Sequence, residues 1–130
     1  MFDHLSVGVT DLDKSLAFYD AALKPLGVSR MFAMGDRGIA AYVGNEQISF
    51  WLYSKDAKQS ALGELSAPPR FHLAFRASDR AAVDAFYESA LAHGGTDEGA
   101  PGIREQYHPN YYAAYVRDPN GYKVEVVCQQ

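Results

Sequence analysis

Apolar and polar residues alternate over residues 2–9, which predicts a strand with Leu5, Val7 and Val9 on one face and His4, Ser6 and Gly8 on the other. The period then changes. Leu12, Leu16, Tyr19 and Leu23 recur at helical spacing after Thr10 or Asp11, either of which can cap the first turn, and Gly27 ends the helix shortly after Pro25. Three strands follow, near 29–35, 39–44 and 47–54, separated by turns at Gly35–Gly38 and Gly44-Asn45. The same order then repeats. A strand at 71–77 precedes a helix capped by Ser78 or Asp79, with Val83, Phe86, Tyr87, Ala90 and Leu91 as its stripe and Gly94-Gly95 as its stop. Strands near 103–108, 111–117 and 122–128 complete the chain, the last two joined by the strong turn Asp118-Pro119-Asn120-Gly121.

The repetition is visible residue by residue. At an offset of 68, His4-Leu5 falls on His72-Leu73, Asp11 on Asp79, Ala17-Phe18-Tyr19 on Ala85-Phe86-Tyr87, Ala22-Leu23 on Ala90-Leu91, and Gly27 on Gly95. Nine identities in 24 positions stand against about one or two expected from residue frequencies. Further on, Ala40-Ala41-Tyr42-Val43 matches Ala113-Ala114-Tyr115-Val116 at an offset of 73. The expected fold is therefore α+β: two tandem βαβββ modules, about 1–54 and 71–130, joined by a linker at about 55–70 that contains Pro68-Pro69. The modules should build a cupped mixed sheet with the helices on its outer face.

Alternation also sorts chemistry from core. Val124, Val126 and Cys128 of the last strand, Phe71, Leu73 and Phe75 of the fifth, and Ile48, Phe50 and Leu52 of the fourth are expected to pack under the helices. His4, His72 and Glu125 all fall on the opposite, concave face. A strand histidine by itself is usually structural. Two at equivalent positions of a repeat, with a carboxylate on the same face, can instead hold a divalent metal and leave positions open for substrate.

Composition narrows the class. At 130 residues the chain is the size of one domain, 48% hydrophobic and 22% charged. A net charge of −4 without a basic cluster argues against nucleic acid, and no apolar run approaches a membrane span. No basic stretch precedes the first strand, and the single cysteine, Cys128, excludes an internal disulfide. The expectation is a cytoplasmic protein that binds a small molecule.

The motifs together resemble the vicinal oxygen chelate superfamily of glyoxalase I, the bleomycin-resistance proteins and the extradiol dioxygenases. The likeness covers the whole chain. It rests on His4 followed by Val9-Thr10-Asp11-Leu12-Asp13-Lys14-Ser15-Leu16-Ala17-Phe18-Tyr19, on His72-Leu73-Ala74-Phe75, and on Asp118-Pro119-Asn120-Gly121-Tyr122-Lys123-Val124-Glu125. The resemblance implies paired βαβββ modules around a divalent metal (Fe, Mn, Ni, Zn or Co), with His4, His72 and Glu125 as ligands. The fourth ligand position of glyoxalase I falls at Ser49 or Trp51, neither a normal ligand. A set of two histidines and one glutamate looks more like the extradiol dioxygenases, as does the order His108, Tyr115, Asp118-Pro119, Gly121, Glu125. By that likeness His108 and Tyr115 form an acid–base pair beside the metal. Trp51, Arg76 and Arg104 are candidate substrate contacts, the tryptophan by stacking and the arginines by clamping an anionic group.

The activity implied is that of a metal-dependent ring-cleaving dioxygenase or a glyoxalase-like lyase or isomerase, acting on a small molecule that chelates through neighbouring oxygens. The competing reading is a drug- or metabolite-binding protein without turnover. A homodimer, with or without exchange of modules, is compatible with the length of the linker.

Overall fold

A computed structural model of the chain describes residues 2–45, 48–55 and 70–130. The linker prolines Pro68-Pro69 lie outside the described residues. The first module runs β1 (His4–Val9), α1 (Leu12–Leu23), β2 (Ser29–Met34), β3 (Ile39–Val43) and β4 (Ser49–Ser54). The second runs β5 (His72–Arg76), α2 (Arg80–Ala92), β6 (Thr96–Ile103), β7 (Tyr112–Arg117) and β8 (Lys123–Cys128). The strands form two four-stranded sheets, ordered β1-β4-β3-β2 and β5-β8-β7-β6. In each, the first and last strands of the module pair in parallel and the rest antiparallel. The chain is thus α+β, built of two βαβββ modules.

The aspartates are the helix caps. Asp11 accepts from the Lys14 amide at 3.1 Å and Asp79 from the Ala82 amide at 2.8 Å, each satisfying an amide that the first helical turn leaves open. Each helix buries one stripe: Ser15, Phe18, Tyr19, Ala22 and Leu23 in α1, and Ala82, Val83, Phe86 and Ala90 in α2. The helices pack on each other as well as on their own sheets, so both modules share one core. Phe50 meets Phe75 edge-on across the modules at 5.7 Å. Gly95, just beyond α2, sits so close to Phe18 that a Cβ there would lie 2.7 Å from the ring.

A polar latch also joins the modules. The Asp118–Gly121 turn reaches back to the start of α1. Asn120 Oδ1 accepts from the Thr10 amide and hydroxyl, and its Nδ2 donates to Ser15 Oγ at 3.1 Å. The buried Tyr19 hydroxyl donates to Asp118 Oδ2 at 2.8 Å, and Asp118 is itself buried.

Two expectations need correction. The strand expected at 103–108 is Thr96–Ile103 instead. Its sequence, with Gly99, Pro101 and Gly102, has poor strand propensity, but it is an edge strand with two register shifts, where proline and glycine are tolerated. Residues 104–111 form turns, closed by Tyr107 N–H to Arg104 C=O and Tyr111 N–H to His108 C=O. Leu5, Ile48 and Phe71, expected in the core, are 38%, 43% and 37% exposed. They lie at or just before the starts of β1, β4 and β5, away from the shared core, which is built from later strand positions such as Val7, Val9, Phe50, Leu52 and Leu73.

Candidate active site

The concave face of the second sheet gathers the charged chemistry. Strand register places His72 beside Lys123, Ala74 beside Glu125, and Glu125 across from Tyr115. Glu125 is 3% exposed, a burial that a carboxylate tolerates only with partners. It has three. Its Oε2 lies 3.1 Å from His72 Nε2. Its Oε1 accepts hydrogen bonds from the hydroxyls of Tyr111 at 2.6 Å and Tyr115 at 3.1 Å. The carboxylate in turn holds both phenols as donors: burial and the adjacent Glu125 push Tyr115 up to about 12 and raise Tyr111 as well. Both hydroxyls keep their protons through neutral pH.

A cavity of about 690 Å³ opens over this group, within the range of small-molecule sites. Its wall includes His72, Glu125, Tyr115, Lys123, Arg104 and Gln106, with the β6 backbone at Gly99–Pro101. Gly99 permits the close packing there. A Cβ at its position would stand 3.1 Å from Tyr115 and 3.4 Å from Arg104, and its φ of +155° suits glycine.

The first sheet presents a different face. His4 is exposed, its Nδ1 2.6 Å from Asp3 Oδ1. Trp51 is half-buried, donates from Nε1 to Ser49 Oγ at 2.8 Å, and meets Phe32 edge-on and Tyr53 in a stack. The register also decides the fourth ligand position. His4 pairs with Ser49 as His72 pairs with Lys123, so Trp51 stands where Glu125 stands. By the same ladders the counterpart of Tyr115 is Ala41, which pairs with Trp51 as Tyr115 pairs with Glu125. The alignment of Tyr42 with Tyr115 is therefore a one-residue slip, which exchanges faces. Tyr42 points into the core, with its hydroxyl on Asp20 at 2.9 Å.

The sequence-derived candidates thus separate into groups. His72, Glu125, Tyr115 and Arg104 surround the cavity. His4 and Trp51 belong to the first sheet. Arg76 lies in β5, in register with Val127, outside the cavity wall. His108 is also outside that wall: its Nδ1 accepts from the Asn110 amide, its Nε2 faces Gln129 Oε1 at 3.1 Å, and its ring rests edge-on against Tyr111. Tyr111 and Lys123 are the site residues that sequence reasoning left aside. Period-two alternation carried the signal for both, since Tyr111 shares a face with Tyr115, and Lys123 with Glu125.

His72 Nε2 and Glu125 Oε2 suit two adjacent ligand positions of a divalent metal by donor type and proximity. Among the described residues no three His, Cys, Asp or Glu side chains come together, so one chain supplies the pair without His4.

Paired βαβββ modules with a His–Glu pair in the concavity of the second point to one class of protein, and the sequence agrees. The chain matches the Glyoxalase/Bleomycin resistance protein/Dioxygenase superfamily over residues 1–126 and belongs to it. It is similar to a glyoxalase/bleomycin resistance protein from Albidiferax ferrireducens T118, at 34% identity, with 98% of each chain covered and a TM-score of 0.82. A glyoxalase-related enzyme from Fulvimarina pelagi shares the fold at 20% identity and a TM-score of 0.77, covering 98% of this chain and 86% of that one. No curated protein matches the sequence.

Proposed function

We propose that the chain is a metal-dependent enzyme of the glyoxalase/dioxygenase type, acting in the second-module cavity on a small molecule with neighbouring oxygens. The observation that carries this reading is the buried Glu125 carboxylate, held against His72 at 3.1 Å at the wall of the cavity. His72 and Glu125 would hold the metal. Bound there, a divalent ion supplies Lewis acidity towards the substrate oxygens. Tyr111 and Tyr115 fix the Glu125 carboxylate through its other oxygen, as outer partners of a metal ligand do. Tyr115, in the cavity wall, keeps its proton directed at Glu125 and would offer its hydroxyl oxygen as an acceptor to a substrate hydroxyl. His108 acts at one remove, by packing against Tyr111.

The third ligand is His4 of a second copy. In one chain His4 and Trp51 lie on a concave face whose strand positions carry no formally charged side chain, whereas His72, Lys123 and Glu125 lie on a charged one. A homodimer that lays the first face of one copy over the second face of the other completes the ligand set. Metal content and sedimentation test this together. The expected result is about one divalent ion per chain in a dimer, lost in His72→Ala and Glu125→Gln. Mixing inactive His4→Ala with inactive Glu125→Gln should restore part of the activity, because one site of each mixed dimer has every ligand. A monomer that binds metal fully without His4 refutes the shared site. Oxygen uptake with a catechol panel, set against isomerisation of a hemithioacetal, separates dioxygenase from lyase.

One observation favours the second reading, a binding protein without turnover: Trp51 replaces the carboxylate in the first module, so that module offers a single donor. Ligand binding that persists in metal-free protein and in Glu125→Gln, with no product formed, is the result that reading requires.

A further inference from the structure

The cavity wall carries two cations whose setting has no part in holding Glu125 or His72. Lys123, the first residue of β8, places Nζ 4.6 Å from the centroid of the Tyr115 ring. Arg104, just after β6, places its guanidinium carbon 5.5 Å from the same centroid and donates from Nη2 to the Ala100 carbonyl at 2.6 Å. Among the described residues neither has a carboxylate within ion-pair distance. The wall has two carboxylates. Glu98 is matched at 2.7 Å by Arg117, and Glu125 is engaged by His72 and two phenols. Two cations therefore face the cavity over one aromatic ring, and the hydroxyl of that ring marks the Glu125 end. Tyr115 joins the two groups, its ring facing the cations and its hydroxyl bonded to Glu125.

We propose that the cavity takes a small organic carboxylate. Its carboxylate group lies at Lys123 and Arg104, and its body runs along Tyr115 so that its other end reaches Glu125 and His72. Arg104 is suited to this, because one donor tied to Ala100 holds the guanidinium while its remaining N–H groups stay available. Lys123 adds a mobile point charge beside it. The two wall carboxylates are engaged elsewhere, Glu98 chiefly by Arg117 and Glu125 by His72 and the phenols, so Lys123 and Arg104 keep donors for a ligand. The inference rests on the cavity being the substrate site, and it adds the charge of the molecule that fits.

Benzoate and its neutral analogue benzamide test the proposal in metal-free protein at low ionic strength, by calorimetric titration with chemical-shift mapping. Wild type should bind benzoate about tenfold more tightly than benzamide, with shifts at Gly99 and Tyr115. Lys123→Met and Arg104→Met should each remove most of that preference while leaving benzamide affinity unchanged. Lys123→Arg, which keeps charge and fold, should retain it. Glu125→Gln should keep or strengthen it, since it removes the competing negative charge. Equal affinities, no detectable benzoate binding, or a preference that survives Lys123→Met and Arg104→Met in folded protein would overturn the proposal. Metal titration of the same samples keeps the two ideas apart: metal binding without a benzoate preference sinks this inference alone, and a benzoate preference without metal binding sinks the metal-enzyme reading alone.

Discussion

Tyr19→Phe removes one oxygen from the middle of the molecule and should cost far more than the same change at Tyr42. Both rings are fully buried. Both hydroxyls donate to a carboxylate at nearly equal distance, Tyr19 to Asp118 at 2.8 Å and Tyr42 to Asp20 at 2.9 Å. They differ in what lies beyond. Asp118 is 4% exposed and shares its Oδ2 only with the Asn120 side chain at 3.3 Å, so water cannot replace the lost donor. The Asp20 side chain is 38% exposed and already meets Arg30 at 3.2 Å, so water and the guanidinium can. A hydrogen bond to a charged group contributes about 1.5–3 kcal/mol, and a buried acceptor left short keeps most of that penalty. Tyr19→Phe should therefore destabilise by about 2 kcal/mol and Tyr42→Phe by less than about 1 kcal/mol. With 130 residues, each contributing about 2.1 cal/mol/K of unfolding entropy, the total is about 0.27 kcal/mol/K, and the first loss corresponds to a fall of about 7 °C in Tm.

Urea unfolding with an unchanged slope is the assay, because it separates a stability change from a change in the denatured state. Equal losses in the two variants would refute the reasoning, since the rings are alike and only the burial of the partner differs. The comparison has functional weight. Tyr19 and Asp118 are 99 residues apart and tie α1 to the turn that leads into the strand bearing Glu125.

Gly95→Ala should destabilise by about 1–3 kcal/mol in a thermal melt, because the new methyl would lie 2.7 Å from both the Ala90 carbonyl and the Phe18 ring, and the carbonyl cannot move aside. Tyr111→Phe and Tyr115→Phe should each weaken metal binding, by about 10- to 100-fold if they act as outer partners of a ligand, with the larger loss at the 2.6 Å bond of Tyr111; metal titration that ranks them the other way contradicts the geometry. Stability should also fall at high pH. Tyr19 and Tyr42 are raised chiefly by burial and next by their aspartates, so above the unfolded value of about 10 only the unfolded chain loses these protons. That stabilisation is complete below about pH 10 and is lost as pH rises towards the folded values, at about 1.4 kcal/mol per pH unit for each tyrosine. Urea midpoints that stay level from pH 9 to 11 would contradict it.

Much of this arrangement was written in local pattern. The repeat, the two capping aspartates, the helix stripes apart from the exposed Leu91, and the shared face of His72 and Glu125 follow from spacing, because helices and strands impose fixed periods on burial. What spacing could not reveal depended on neighbours. Thr96–Ile103 reads as a loop by propensity and becomes a strand because β7 offers it an edge. Leu5 and Phe71 alternate correctly yet stay exposed at the ends of their strands. The phenol clamp on Glu125 was only partly legible: Tyr111 is in phase with Tyr115, but it stands just outside β7 and packs on Tyr107, so alternation alone did not single it out.

The matched Ala-Ala-Tyr-Val strings carry the sharpest lesson about how the halves differ. Aligned as letters, they make Tyr42 and Tyr115 equivalent; aligned by hydrogen-bonded ladders, they do not, because Ala41 stands opposite Trp51 and Tyr115 opposite Glu125. One residue of register separates a core tyrosine from one in the cavity wall. The modules have kept the same scaffold while exchanging what its concave face carries. The first holds an exposed His4 and an uncharged aromatic cluster of Phe32, Trp51 and Tyr53. The second holds His72, Glu125, its two phenols and the cations at Lys123 and Arg104. If His72 and Glu125 hold a metal as proposed, a carboxylate at position 51 would give the first face the same pair of donors. With tryptophan there, only the second module carries the carboxylate, in the wall of the cavity, and on the proposed reading the first would contribute one imidazole and an aromatic surface. Trp51→Glu is therefore the substitution that would move this site towards a four-ligand set, and a gain in metal affinity there, absent in Ser49→Glu, would show that the ladder register and not the letter alignment defines the site.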